Sequence, residues 1–181
     1  PYTTLFRSIL EGERLLLRPL VAEDWDALFA VASDPQVWAI HPQHDRWQEP
    51  VFRRFFADAL ERGGALAVID KASGAIIGSS QYKAEANGAV EIGWTFLAPS
   101  HWGGTCNREM KRLMLAHAFR FVGRVEFRVG ECNLRSQRAM QKIGGRLTER
   151  FDMVDTPSGG PMRHVIFEII RESFASGPLN P

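Results

Sequence analysis

Long apolar runs, paired cysteines, metal-ligand spacings and an excess of one charge are all missing from this sequence. No stretch reaches the about 18 apolar residues of a membrane-spanning helix, so no membrane partner is expected. Two cysteines occur, Cys106 and Cys132. They lie far apart and form no CxxC or zinc spacing. Two reduced thiols in a cytoplasmic protein are the expectation. No two histidines have the HExxH spacing of a helical zinc site, and no metal is expected. Charge is balanced, 22 Lys+Arg against 21 Asp+Glu, so nothing general draws the chain to nucleic acid or anionic lipid. No charged segment followed by an apolar run opens the chain, and no secretory leader is expected in it. It begins at Pro1 rather than Met, so the native start is expected upstream or altered.

What is present suits one domain. A chain of 181 residues, 45% hydrophobic and 10% aromatic, can bury a core without disulfides. Residues 1–12 show no period and read as an arm. A short strand is predicted at 14–18, stopped by Pro19. A helix follows at 22–33, capped by Asp24, with Trp25, Leu28, Phe29 and Ala32 at i, i+3, i+4, i+7. Residues 34–49 read as a loop. Pro50 suits the start of a second helix, which Gly63-Gly64 ends. Three strands are predicted at 65–70, 75–83 and 90–97, with Asn87-Gly88 as a hairpin signal. A long helix at about 105–121, a strand at 125–130 and a helix at 133–143 come next. Two closing strands, about 147–155 and 162–170, are joined by a turn at 156–161. The tail from Ser173 reads as frayed. The order β-α-α-β-β-β-α-β-α-β-β predicts an α/β (α+β) fold: a single mixed, mostly antiparallel sheet of about seven strands flanked by about four helices.

The stretch 90–121 carries the chemistry. Alternation along 90–96 places Val90, Ile92, Trp94 and Phe96 on one face, and Glu91, Gly93 and Thr95 on the other. The strand runs into His101-Trp102-Gly103-Gly104-Thr105-Cys106 and then a helix. Strand, Gly-rich loop, helix is an arrangement that binds phosphate, because the first helical N–H groups lack internal partners. A Gly-Gly pair alone is also an ordinary tight turn. No Walker A lysine follows, and no GxGxxG is present.

This segment resembles the acetyl-CoA loop of the GNAT superfamily, Gln/Arg-x-x-Gly-x-Gly/Ala, read here as His101-x-x-Gly104-x-Cys106. The first and last positions depart from the usual residues; the central Gly is kept. Gly12-Glu13-Arg14-Leu15-Leu16-Leu17-Arg18-Pro19 with Glu23-Asp24 resembles the opening of the RimJ/RimL-type branch. Asn133-Leu134-Arg135-Ser136, then Ala139-Met140 and Gly144, resembles that branch's second motif. The resemblance implies a GNAT fold over 13–172 between the arm and a tail at 173–181. It also implies an N-acetyltransferase that moves an acetyl group from acetyl-CoA to a primary amine by direct attack. The amine is a protein N-terminus or a small molecule. A non-catalytic acyl-CoA sensor on the same fold is the alternative. A homodimer is compatible with both.

The resemblance places acetyl-CoA against Phe96, Leu97, His101, Trp102, Gly103, Gly104, Thr105, Cys106, Asn107, Arg108, Asn133 and Ser136. Glu91 is the candidate base, since an ammonium has no lone pair with which to attack; its ordinary alternative is a salt-bridged strand Glu. Ser136 is the candidate donor to the departing sulfur, with Tyr82 as runner-up. Asn133 is equally a good N-cap. Trp38, Asp45, Gln81 and Tyr82 are the acceptor-pocket candidates, together with Arg46, although a loop Asp more often caps a turn. Arg108, Lys111 and Arg112 read as a basic, solvated side of the long helix. Cys106, at a helix start, is expected to have a lowered thiol pKa.

Overall fold

The computed structural model describes residues 2–157 and 160–180. Eight strands form one sheet in the order β1-β2-β3-β4-β5-β6-β8-β7. They are β1 (Leu10–Glu11), β2 (Leu15–Pro19), β3 (Ala65–Asp70), β4 (Ile76–Ala84), β5 (Val90–Leu97), β6 (Arg124–Gly130), β7 (Arg146–Thr156) and β8 (Gly160–Ile170). All neighbours pair antiparallel except β5 with β6. That parallel step needs a crossover, which α5 (Cys106–Ala118) supplies. The other helices of eight residues or more are α2 (Trp25–Ala32), α4 (Glu49–Arg62) and α6 (Leu134–Lys142). Three shorter ones, α1 (Tyr2–Arg7), α3 (Pro35–Trp38) and α7 (Arg171–Ala175), complete the described set. The mixed sheet and its four principal helices follow the sequence pattern.

Each face of the sheet has its own core. Under α5 and α6 lie Leu15, Leu17, Val68, Val90, Ile92, Met110, Met114, Phe127, Met140 and Phe167. On the opposite face, α2, α3 and α4 bury Leu28, Trp38, Phe52, Phe55, Phe56 and Phe96. Each such side chain contributes about 1.5–3 kcal/mol by leaving water. Helix α4 shows the sequence logic plainly. Pro50 sits in its first turn, and Gly63 closes it in the left-handed region at φ +70°.

Several local expectations change. Asp24 does not cap α2 with its side chain. Its carboxylate instead accepts both guanidinium nitrogens of Arg18, at 2.7 Å each, and the Val21 N–H, because a bidentate arginine is a stronger partner than one amide. Segment 34–49 is not all loop: Asp34 accepts the Gln36 N–H and starts α3. The arm and the tail are both tied down. Leu5, Leu10 and Leu179 are buried in the first core, and the His117 ring nitrogen donates to the Leu5 carbonyl at 3.2 Å. Helices of five or six residues are too short to show a 3.6-residue period. Of the expected 156–161 turn, Ser158 and Gly159 lie outside the described residues.

The alternation along β5 breaks midway. Gln81 pairs with Gly93 and Ser79 with Phe96. Between those pairs β4 spends one residue and β5 spends two, Trp94 and Thr95. This is a bulge, and Trp94 has φ +52°, rare for a bulky residue. The extra residue reverses the faces beyond it. Val90 and Ile92 pack under α5, but Phe96 packs under α4, so the single apolar face expected over 90–96 does not exist.

Candidate active site

The bulge sits where the sheet splits. Strands β5 and β6 are in register only at Val90–Val125 and Glu91–Glu126. Beyond these pairs they diverge, and a cleft of about 630 Å³ opens between them. Ile92 to Leu97 form one wall and Phe127 to Gly130 the other. Its charged lining is Lys111, Arg128, Arg135, Arg138 and Lys142, with no Asp or Glu. A cleft of that sign suits a polyanionic ligand.

One end of the cleft is the Gly-rich loop. The Trp102 indole N–H donates to the Leu97 carbonyl at 2.8 Å, tying the loop to the end of β5. The N–H groups of Gly103 to Arg108 find no backbone carbonyl among the described residues, so the start of α5 presents free donors to an anion. The sequence motif gave weight to Gly104, but Gly103 is the residue with φ +71° that lines the cleft. A Cβ at either position would meet nothing within 4 Å; the space above the loop is open. These features fit the pyrophosphate of a coenzyme A thioester.

Of the residues expected to hold acetyl-CoA, Phe96, Leu97, His101, Trp102, Gly103, Asn107, Asn133 and Ser136 line the cleft. Gly104, Thr105, Cys106 and Arg108 do not. Arg108 instead donates to the Pro178 carbonyl, a partner that belongs to the tail. Asn133 caps α6, its side chain accepting the Ser136 N–H at 3.1 Å. The cap and the cleft position therefore coexist, and the cap holds Ser136 at the wall.

Glu91 is buried beside the floor. Its Oε1 lies 3.2 Å from where a Gly93 Cβ would stand, and Gly93 lines the cleft. On its other side the carboxylate meets Arg128 at 3.2 Å and Lys83 at 3.8 Å. Arg128 is shared with Glu85, Glu126 and Asp152. Burial pushes the Glu91 carboxyl up to about 7, against the pull of Arg128 and Lys83 and helped by neighbouring Glu85.

The acceptor-side candidates separate. Trp38 lines the cleft and donates its indole N–H to the Ala32 carbonyl. Arg46 lies over the Trp38 and Phe55 rings at 5.5 and 4.6 Å. Burial lowers its pKa to about 10, opposed by Asp45. Asp45 keeps one buried carboxylate oxygen without a hydrogen-bond partner. Gln81 is buried in β4 away from the lining. Tyr82 is also excluded: it is 1% exposed, stacks on Phe6, and donates its hydroxyl to the Met114 carbonyl at 2.8 Å. A large amphipathic ring on an inward strand position fills the core when a helix carbonyl satisfies its hydroxyl.

Sequence reasoning missed three residues. His41 and His164 line the cleft. Burial drives the His41 pKa down to about 3, and its Nδ1 accepts the Gln43 N–H at 2.9 Å. Burial also lowers that of His164, whose Nε2 is buried without a partner. Lys111 is not solvated: it is 3% exposed, lines the cleft, and donates to Thr95 Oγ1 at 2.7 Å. Its spacing from Met114, Leu115 and Ala118 marks the buried face of α5 and was the available signal.

Cys106 differs from expectation as well. Packed against the first core, its thiol is pushed up by burial and by Asp70 and Glu109, and the helix start does not win. Iodoacetamide is therefore expected to label exposed Cys132 well before Cys106. Time-resolved peptide mapping checks the order; equal rates would contradict it.

Comparison with known proteins identifies the domain that holds this cleft. Residues 14–146 match the family model described as an acetyltransferase (GNAT) domain. A GCN5-related N-acetyltransferase from Brucella melitensis is 25% identical and superposes with a TM-score of 0.82, over 96% of this chain and 82% of that one. A GNAT-family acetyltransferase from Bacillus anthracis shares the fold at 22% identity and a TM-score of 0.75, over 91% and 99% of the two chains. Mycobacterium smegmatis RimJ in complex with CoA-disulfide does so at 18% and 0.72, over 97% and 93%. The matched span holds the split strands, the loop and both helices that build the cleft, and on that ground the chain belongs to the GNAT acetyltransferase family, whose acyl donor is acetyl-CoA.

Proposed function

We propose that this chain acetylates a primary amine, a protein N-terminus or a small molecule, by direct attack on acetyl-CoA, with Glu91 as base. The observation that carries this is the buried Glu91 carboxylate directly behind side-chain-free Gly93, a lining residue of a cleft that has no acid of its own. The acceptor reaches the cleft as an ammonium; Glu91 takes its proton through a water over Gly93, and the free amine attacks the thioester. The oxyanion is met by a backbone N–H near Phe96 and Leu97, where β5 has lost its β6 partner. Donors of this kind contribute about 2.7–4 kcal/mol. Ser136 hydrogen-bonds the thioester sulfur, and Asn133 contacts the pantetheine arm as it holds Ser136. Gly104, Thr105, Cys106 and Arg108 stand at the pyrophosphate end, where the first helical N–H groups are free. Trp38, His41 and Asp45 bound the acceptor end. The RimJ/RimL-like motifs and the RimJ neighbour favour that branch. The protein acts in the cytoplasm, as a monomer or a homodimer, without nucleic acid or membrane.

A ligand that binds only the folded state stabilises it, by about 2.7 kcal/mol at 100 Kd. Acetyl-CoA is expected to raise the Tm clearly, and ATP and NAD little. Equal shifts from all three would sink the assignment. Release of free CoA on offering a panel of amines separates an enzyme from a silent acyl-CoA sensor.

A further inference from the structure

Four lysines occur in the chain, and three of them, Lys71, Lys83 and Lys142, are exposed at the surface. Lys111 is buried and lines the cleft, and its Nζ reaches Thr95, another lining residue. One of its three donors is used, by Thr95 Oγ1 at 2.7 Å in the β5 bulge; the Phe127 ring, just past the last paired residues of β5 and β6, lies 5.6 Å away. Nζ has no carboxylate partner among the described residues. The other charges on the lining, Arg128 from β6 and Arg135, Arg138 and Lys142 from α6, are cationic. The Glu91 carboxylate is engaged with Arg128 and Lys83. A buried cation without a counter-ion is costly. Burial alone lowers the Lys111 pKa to about 7.

Such a group is poised for negative charge that arises only during reaction. Collapse of the tetrahedral intermediate generates a thiolate, and Lys111 stands beside the point where β5 and β6 part. We propose that Lys111 faces the sulfur of bound coenzyme A, carries the charge of the departing thiolate and returns a proton to it. The C–S bond breaks, its electron pair goes to sulfur, and an Nζ–H proton follows, giving free CoA thiol and a neutral lysine. The acetylated nitrogen sheds its extra proton to solvent, from which Lys111 is recharged. Net, amine and acetyl-CoA become amide and CoA. The Lys111 ammonium meets the thiolate charge as it forms and is a far stronger acid than a serine hydroxyl.

This inference rests on the acetyl-CoA reading, and the test keeps the two apart. Free CoA is added to the wild-type protein, binding is followed by Tm, and ionisation of the bound thiol is titrated by its ultraviolet thiolate absorbance. The bound thiol is expected to ionise at least about tenfold more readily than free CoA. In Lys111→Met, CoA should still raise the Tm, through the loop, while the thiol returns to its free value. With acetyl-CoA, kcat should fall about 10²–10³-fold with KM little changed. In Thr95→Val the amine loses its tether but stays in place, so the thiol shift should survive. A bound thiol that ionises alike in wild type and Lys111→Met overturns the proposal, as does acetylation of Lys111 itself, which would make it a nucleophile. Should the Met variant not fold, an unshifted thiol in the wild type overturns it alone. Absence of any CoA-induced Tm shift in the wild type would instead overturn the acetyl-CoA reading.

Discussion

Replacing Glu91 with Gln is expected to lower kcat by about 10²–10⁴-fold, the usual worth of a positioned base, with acetyl-CoA affinity nearly unchanged. Gln keeps the shape and the hydrogen bonding but cannot accept a proton. Glu91 works only when ionised. With its carboxyl up to about 7, the wild-type profile should carry a limb that rises with pH through that region, set against the falling limb of the Lys111 acid, and the variant should lack the rising limb. The deficit should shrink at high pH, where the acceptor is already neutral. Stability runs the opposite way. A carboxyl whose folded pKa lies above its unfolded value favours the fold while protonated. That contribution is full below the ordinary carboxylate pKa and is lost as pH rises to about 7. At neutral pH the ionised Glu91 therefore costs stability, and the variant should melt no earlier than wild type. A merely structural Glu91 would show the reverse: an earlier melt and unchanged pH dependence. Rates across pH beside melting curves decide between them.

Gly103→Val should abolish the Tm shift given by acetyl-CoA. Two effects add at this position. The residue needs φ +71°, which costs a β-branched side chain roughly 1–3 kcal/mol, so the loop would rearrange. Its side chain would also occupy the open space beside the free N–H groups at the start of α5. Gly104→Val, with an ordinary backbone angle, suffers only the second effect and should weaken binding less. Since residues 102–105 are exposed, the unliganded variants should melt close to wild type. Calorimetric titration with acetyl-CoA checks the order; equal affinity for wild type and Gly103→Val would remove the loop from the site.

Much of this was legible in the sequence. Hydrophobic spacing placed α2, α4, α5 and α6 within a few residues, and β3 and β5 at the bounds observed. The loop and Asn133–Ser136 pointed to the cleft because their signals are local: glycines, a cap, a helix start. What was hidden depends on non-local facts. The β5 bulge exists only in register with β4, so strict alternation put Phe96 on the wrong face. Tyr82 looked available because its partner, the Met114 carbonyl, lies 32 residues on. The Cys106 thiol was judged by the helix dipole, but burial and the Asp70 and Glu109 carboxylates outweigh it. Lys111 was judged by its charge, when its position on the helix was the better guide.

The seam between β5 and β6 joins a five-strand half-sheet to a three-strand one through only two registered residue pairs. An extended pantetheine arm laid along the orphaned edge of β5 would behave as a ninth strand, supplying hydrogen bonds that the protein itself leaves unmade. The coenzyme is then a structural splice as well as a reagent. It closes the gap in the sheet on arrival, and its departure as free thiol reopens it, so each catalytic cycle would stiffen and loosen the line along which the two halves of the molecule meet.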